Sequence, residues 1–186
     1  MDTPERRVLM GEEAVREAVA RMAREIVERN GGTEFLSLVG VQRRGVHLAG
    51  WLADAIERDG GVRPPVGTLD ITLYRDDLTA IGPRPVLGET RLPAGGLDGR
   101  RLVIADDVLY TGRTARAALD ELADFGRPER IWLCVLVDRG GRELPIAPDF
   151  VGRVVETGPD ERVEVRVPDL DGRLAVEVIQ RQEEAP

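Results

Sequence analysis

The segment Leu102-Val103-Ile104-Ala105-Asp106-Asp107-Val108-Leu109-Tyr110-Thr111-Gly112-Arg113-Thr114 constrains this chain more than any other. Four apolar residues in a row read as a strand buried on both faces. Two adjacent acids follow at its C-terminal end, and a Thr-Gly-x-Thr turn then opens a helix. That turn has the parts of an anion site. Gly112 lets the backbone come close, the first helical amides lack internal partners, and Thr111 and Thr114 bring hydroxyls. The carboxylates would repel a phosphate, so they should face sugar hydroxyls. Acids just ahead of a phosphate cradle therefore point to ribose 5-phosphate. They also lie near where positive charge builds at an anomeric carbon and are placed to stabilise it. An acid, a turn and a helix often make no more than an ordinary cap. Two acids after four apolar residues and before Leu-Tyr-Thr-Gly-Arg-Thr are far more specific.

The rest of the chain supplies the sheet that such a strand needs. Apolar residues at helical spacing predict a helix over 12–29, with Glu12 and Glu13 in its first turn and Gly31-Gly32 as its stop. A strand over 35–41, a polar turn at 42–45 and a helix over 46–58 follow. Next come a strand over 66–74 and a Pro- and Gly-rich stretch to Gly99, whose length marks it as functional or mobile. The pattern then predicts a strand over 101–105, a helix over 113–125, a strand over 131–137 and a polar turn at 138–142. Alternation between 151 and 180 suggests two short strands. The fold class is α/β: a parallel sheet flanked by helices, with a small hood or tail of short strands. The 186 residues suit one domain, 1–186, around one sizeable core. In such sheets ligands bind beyond the carboxyl ends of the strands, where the turns 42–45, 106–112 and 138–142 fall.

Composition narrows the setting. The formal charge of −8 argues against a protein drawn as a whole onto nucleic acid or anionic membrane. All 26 basic residues are arginine, the better fork for phosphate. No apolar run is long enough to cross a bilayer, and the first residues lack the order of a signal peptide. A single cysteine, Cys134, fits a reducing compartment, so the cytoplasm is expected. Cys134 itself lies in an apolar strand and reads as core. The one histidine, His47, reads as a helix residue and not as a catalyst.

The 102–114 segment resembles the 5-phosphoribosyl-1-pyrophosphate (PRPP) signature of type I phosphoribosyltransferases. Three further stretches narrow the resemblance to the PyrR family of pyrimidine operon attenuation regulators and uracil phosphoribosyltransferases. These are Gly40-Val-Gln-Arg-Arg-Gly45, Asp70-Ile-Thr-Leu-Tyr-Arg-Asp-Asp-Leu78 and Gly126-Arg-Pro with Leu136-Val-Asp-Arg-Gly-Gly-Arg-Glu-Leu-Pro-Ile146. Together they cover most of the chain from the first helix to Ile146.

The resemblance implies a type I phosphoribosyltransferase fold and the transfer of a phosphoribosyl group from PRPP to uracil, giving UMP and pyrophosphate. It implies catalytic roles for Asp106, Asp107 and Arg75. The ribose 5′-phosphate would meet Val108, Leu109, Tyr110, Thr111, Gly112, Arg113 and Thr114. Pyrophosphate would meet Val41, Arg43, Arg44 and Gly45, with Tyr74, Asp76 and Asp77 on a lid that excludes water. Uracil would lie against Val137, Asp138 and Arg139. Mg²⁺ would arrive mainly through PRPP and not through a dedicated protein site. The transition state resembles an oxocarbenium ion, so positioning and charge neutralisation suffice and no nucleophile is needed.

The resemblance also implies that the chain, with UMP or UTP bound, grips a hairpin of the pyr operon mRNA. RNA affinity needs only a local basic face, for which Arg16, Arg21, Arg24, Arg142 and Arg153 are candidates. Where relatives carry a histidine between Gly140 and Arg142, this chain has Gly141. Three readings stay open at this point: a bifunctional regulator and enzyme, an enzyme without an RNA role, or a nucleotide-sensing regulator with little activity. Purine or orotate transfer is more distant. A homodimer or higher homo-oligomer is expected, since an acidic chain could build a shared basic face by self-association.

Overall fold

The computed structural model describes residues 5–74 and 88–180. Five strands form one parallel sheet in the order β3-β2-β4-β5-β6: β2 (Leu36–Val41), β3 (Val66–Leu69), β4 (Arg101–Leu109), β5 (Arg130–Asp138) and β6 (Phe150–Val154). Successive side chains of a strand point to opposite faces, and the central strands show it directly. Val103, Ala105, Trp132, Cys134 and Leu136 face one core, which holds helices α1 (Glu12–Asn30) and α2 (Arg44–Arg58). Leu102, Ile104, Leu133 and Val135 face the other, which holds α3 (Arg113–Phe125). A strand apolar at every position is thus the signature of helices on both sides.

A second, antiparallel sheet of order β1-β8-β7 comprises β1 (Arg6–Met10), β7 (Glu161–Arg166) and β8 (Ala175–Gln180). A single-turn helix, α4 (Pro168–Asp171), joins its last two strands. This sheet is the expected hood, with corrections. The tail carries three strands instead of two, and the first of them, β6, extends the main sheet instead of the hood. Strand β1 has no counterpart in the sequence reading.

Two strand boundaries also move. The strand expected over 66–74 stops at Leu69. The Asp70 carboxylate accepts hydrogen bonds from the Thr72 amide (3.0 Å) and hydroxyl, and the chain turns into a 3₁₀ helix, Thr72–Tyr74. A short acid that binds its own backbone two residues on competes with the ladder, and here it wins. Strand β4, expected to end at Ala105, runs to Leu109, because β5 keeps pairing with it as Asp106↔Val135, Val108↔Val137 and Leu109↔Asp138. The two acids therefore belong to a hydrogen-bonded strand and not to a loop. Among the described residues no helix is long and apolar enough to cross a membrane.

Candidate functional site

The order of the sheet places the site. From β2 the chain crosses through α2 to β3 on one side, and from β4 it crosses through α3 to β5 on the other. The turns leaving β2 and β4 diverge although the strands are neighbours, paired up to Gly40↔Ala105. That divergence opens a crevice at the carboxyl ends, the usual ligand position in such sheets. A cleft of about 680 Å³ lies there, lined by Val41, Gln42, Arg43, Arg44, Asp70, Ile71, Thr72, Gly88, Asp106, Asp107, Val108 and Thr114.

Asp106 is buried and Asp107 partly so, at the floor of the cleft. The Asp107 amide donates to Asp106 Oδ1 at 2.9 Å, and the two carboxyls also interact side chain to side chain. Burial pushes the Asp106 carboxyl well above the usual range, and the adjacent Asp107 pushes it further. Burial also raises Asp107, with opposition from its hydrogen bonds and from the nearby Arg44 charge. A buried acid pair at the floor of a cleft attracts hydroxyls or a cation. Oxygen-only ligands of this kind suit a hard ion such as Mg²⁺.

Facing the acids, the Gln42–Arg43 peptide is cis. Arg43 is exposed and borders the cleft. Arg44 Nη2 instead lies 3.1 and 3.2 Å from the two carboxylate oxygens of Asp171 in the hood. Gly45 opens α2 under this turn, where its Cα packs on the backbone of Ala105 and Asp106. The next turn, after β4, is held from below. Thr111 O accepts from the amides of Glu143 (3.0 Å) and Leu144 (3.1 Å), and the Thr111 hydroxyl accepts from Arg113 N at 3.3 Å. Gly112 takes φ +93 with Ile146 and Leu144 close by, so a glycine is needed there. Thr114 alone of the 109–114 residues reaches the cleft lining; Leu109 is core, and Arg113 bonds Glu143 at 2.9 Å.

The residues after β5 form a cluster of their own beside that turn. Val137 is buried and Asp138 accepts from Gly140 N (3.0 Å) and pairs with Arg142 at 2.6 Å. Arg142 also donates to Tyr110 O (2.8 Å) and Ile146 O (2.9 Å), tying the 138–146 loop to the β4 turn. The Arg139 guanidinium lies 3.8 Å from the Tyr110 ring centroid and bonds Glu161 O at 3.0 Å. Gly141, at φ +76, sits against the edge of the same ring, which fills the space a side chain at 141 would need.

Not every expected residue is gathered. Arg75, Asp76 and Asp77 lie outside the described residues, as does the side chain of Tyr74. Arg16, Arg21 and Arg24 on α1 and Arg153 on β6 are not among the residues that line the cleft. Arg16 pairs with Glu12 at 2.6 Å and Arg24 with Asp59 at 3.6 Å. Arg21 pairs with Glu25 at 2.8 Å and bonds Val151 O and Gly152 O, and Arg153 bonds Leu9 O at 2.7 Å. His47 is partly buried, 3.4 Å from Asp169 and tilted on Trp51. Cys134 is core, and burial pushes its thiol up. Gly88 lines the cleft without having been singled out, and Gln42, Asp70, Ile71 and Thr72 had been named only as parts of longer stretches.

Comparison with known proteins agrees with this geometry. The phosphoribosyl transferase domain family matches residues 11–170. The chain is 57% identical over 174 residues to the bifunctional protein PyrR of Thermus thermophilus, covering 94% of this chain and 96% of that protein. It is 48% identical over 177 residues to the bifunctional protein PyrR of Halalkalibacterium halodurans, covering 94% and 98%. Among solved structures, a hypoxanthine phosphoribosyltransferase of Trypanosoma cruzi superposes with a TM-score of 0.69 at 21% identity, covering 97% of this chain and 93% of that one. That likeness speaks for the fold.

Proposed function

The chain belongs to the bifunctional PyrR family of phosphoribosyltransferases, and on that premise we propose how one cleft serves both functions of the family. The activities are uracil phosphoribosyl transfer and regulation of the pyrimidine operon. The observation that carries the arrangement is the meeting of Arg43 and Arg44 with Asp106, Asp107 and Thr114 around one crevice. Two cations and a hydroxyl-bearing turn flank two acids, which matches a sugar with an anion at each end.

PRPP lies along the cleft in this reading. Its 5′-phosphate meets the first turn of α3 and the Thr111 and Thr114 hydroxyls, while its ribose hydroxyls donate to Asp106 and Asp107. Its pyrophosphate meets Arg43 and Arg44 over Gly45, with Arg75, Asp76, Asp77 and Tyr74 assigned to the same end. Mg²⁺ bound with PRPP would supply charge neutralisation for the pyrophosphate. Uracil stands against Val137, Asp138 and Arg139, held in place by the Arg142 contacts. Its N1 bonds to C1 of PRPP as the bond from C1 to pyrophosphate breaks, the N1 proton passes to the departing pyrophosphate, and the acids below offset the positive charge that builds on the sugar. UMP or UTP in the same cleft is the signal for RNA.

The RNA arm of the reading assigns the pyr operon mRNA hairpin to the arginine-bearing surface that includes Arg16, Arg21, Arg24, Arg142 and Arg153. Residues 1–186 act as one domain in the cytoplasm, as a homodimer or higher homo-oligomer. The test is pyrophosphate release from PRPP and Mg²⁺ with uracil, hypoxanthine, guanine or orotate. Release with uracil alone is expected, and release with a purine instead would overturn the base assignment. UMP should tighten binding to the hairpin, with affinity falling as salt rises. No binding to the hairpin with or without nucleotide would leave the chain as an enzyme only.

A further inference from the structure

One buried acid has no part in the scheme above. Glu121 lies on α3, 2% exposed, and its Oε2 has no hydrogen-bond partner. It stands seven residues after Thr114, nearly the same angular position on the helix and about 10 Å further along it. The helix face that lines the cleft at its first turn thus carries a carboxylate two turns below. Burying such a group is costly, and burial does push its carboxyl upward. An alanine or leucine, like its buried neighbours Ala117, Ala118 and Leu122, would avoid that cost.

What Glu121 touches explains its presence. Its Oε1 accepts the Thr90 hydroxyl proton, and the Thr90 oxygen accepts the Asp70 amide at 3.0 Å. The Asp70 carboxylate then holds Thr72 through one oxygen and the Gly88 amide through the other. Thr68 and Arg91 exchange backbone hydrogen bonds of 2.8 and 2.9 Å alongside. Glu89 O accepts from Gln42 Nε2 and from the Thr68 hydroxyl, both at 3.0 Å, and Gly88 packs on the Gln42 side chain. A continuous chain of contacts runs from the core of α3, through Thr90 and Asp70, to the residue before Arg43.

We propose that Glu121 is a positioning residue for the pyrophosphate end of the cleft. Through Thr90 and Asp70 it fixes the wall made by residues 70–72 and 88–90, and through Glu89 that wall fixes the Gln42–Arg43 turn. This rests on the reading of the cleft as a PRPP site. Glu121 touches no substrate in it.

The experiment measures Mg²⁺-PRPP and UMP binding by calorimetry for the wild type, Thr90→Val, Glu121→Ala and Glu121→Gln. UMP shares the ribose, phosphate and base of the reaction and lacks the pyrophosphate, so it separates this role from a general structural one. Thr90→Val and Glu121→Ala should raise the Kd for PRPP about tenfold and leave that for UMP unchanged, since small misplacements of a binding wall have effects of this order. Glu121→Gln keeps an oxygen for the Thr90 hydroxyl and should bind PRPP like the wild type. Equal losses on both ligands, or wild-type PRPP binding in the isosteric Thr90→Val, would overturn the proposal. A wild type that binds neither ligand would instead overturn the underlying reading of the cleft, a result visible before any variant is made.

Discussion

Asp107→Asn should lower uracil-dependent turnover about a hundredfold and, at the same time, raise the melting temperature at neutral pH. The loss follows from removing a charge placed beneath a sugar that becomes cationic in the transition state, an effect of about 10²–10³ in comparable electrostatic sites. The gain follows from the raised pKa values of the acid pair. Burial lifts both carboxyls above their ordinary range, and the adjacent Asp107 lifts Asp106 further. Between the ordinary and the raised pKa, the folded chain therefore holds more protons than the unfolded one. Stability then falls as pH rises through that window, and at neutral pH the pair is a net burden on the fold. Asparagine removes one charge and keeps the shape, so each kcal/mol relieved should raise Tm by roughly 2–4 °C. The gain should be larger at pH 8 than at pH 5. Turnover equal to the wild type would sink the ribose assignment of Asp107. A Tm lowered at both pH values would sink the desolvation argument. An acid pair that is costly to the fold and sits at the floor of a polar cleft of about 680 Å³ fits a role in chemistry.

What the sequence makes legible follows from how local each determinant is. Strand β4 and helix α3 are readable because their apolar runs and the Thr-Gly-x-Thr turn lie within about twenty residues. The alternation of Val103 and Ala105 with Leu102 and Ile104 between two cores needs no more than those residues and their neighbours. Strand β1 is different. Of Arg6–Met10 only Met10 is buried, so the segment carries no period, and it is a strand because β8 offers it an edge. The same holds for the cleft. Gly112 and the acid pair announce themselves, whereas Gly88 and Gln42 are 46 positions apart and meet only in the fold. Glu121 is the sharpest case. On sequence alone it is one acid in a helix that also shows Asp120 and Asp124, and only its helical spacing from Ala117 and Ala118 sets it on the buried face.

Gly45 lies between these extremes, readable as a turn glycine but for an incomplete reason, and that reason yields the second large effect. Its backbone is ordinary helix with no positive φ, so alanine would fit the local conformation and favour the helix by up to about 1 kcal/mol. The obstacle is across the crevice. A Cβ at 45 would land well under 3.0 Å from the Ala105 carbonyl oxygen and 3.1 Å from Asp106 Cα. Neither atom can step aside, because Ala105 is paired to Gly40 on one side and Cys134 on the other. The two turns must part instead, carrying Arg43 and Arg44 away from Asp106 and Asp107. Gly45→Ala should therefore destabilise by about 1–3 kcal/mol, the usual effect of overpacking. A displacement near 1 Å between reacting groups can remove about 10²-fold of rate, so kcat/KM for PRPP should fall by about that factor. Gly50→Ala in the same helix is the matched control, since a Cβ there meets nothing within 4 Å and the change should be neutral or stabilising. A Gly45→Ala variant as stable and as active as Gly50→Ala would mean that the turns after β2 and β4 are not in contact, and the crevice between them would lose its basis as the site of reaction.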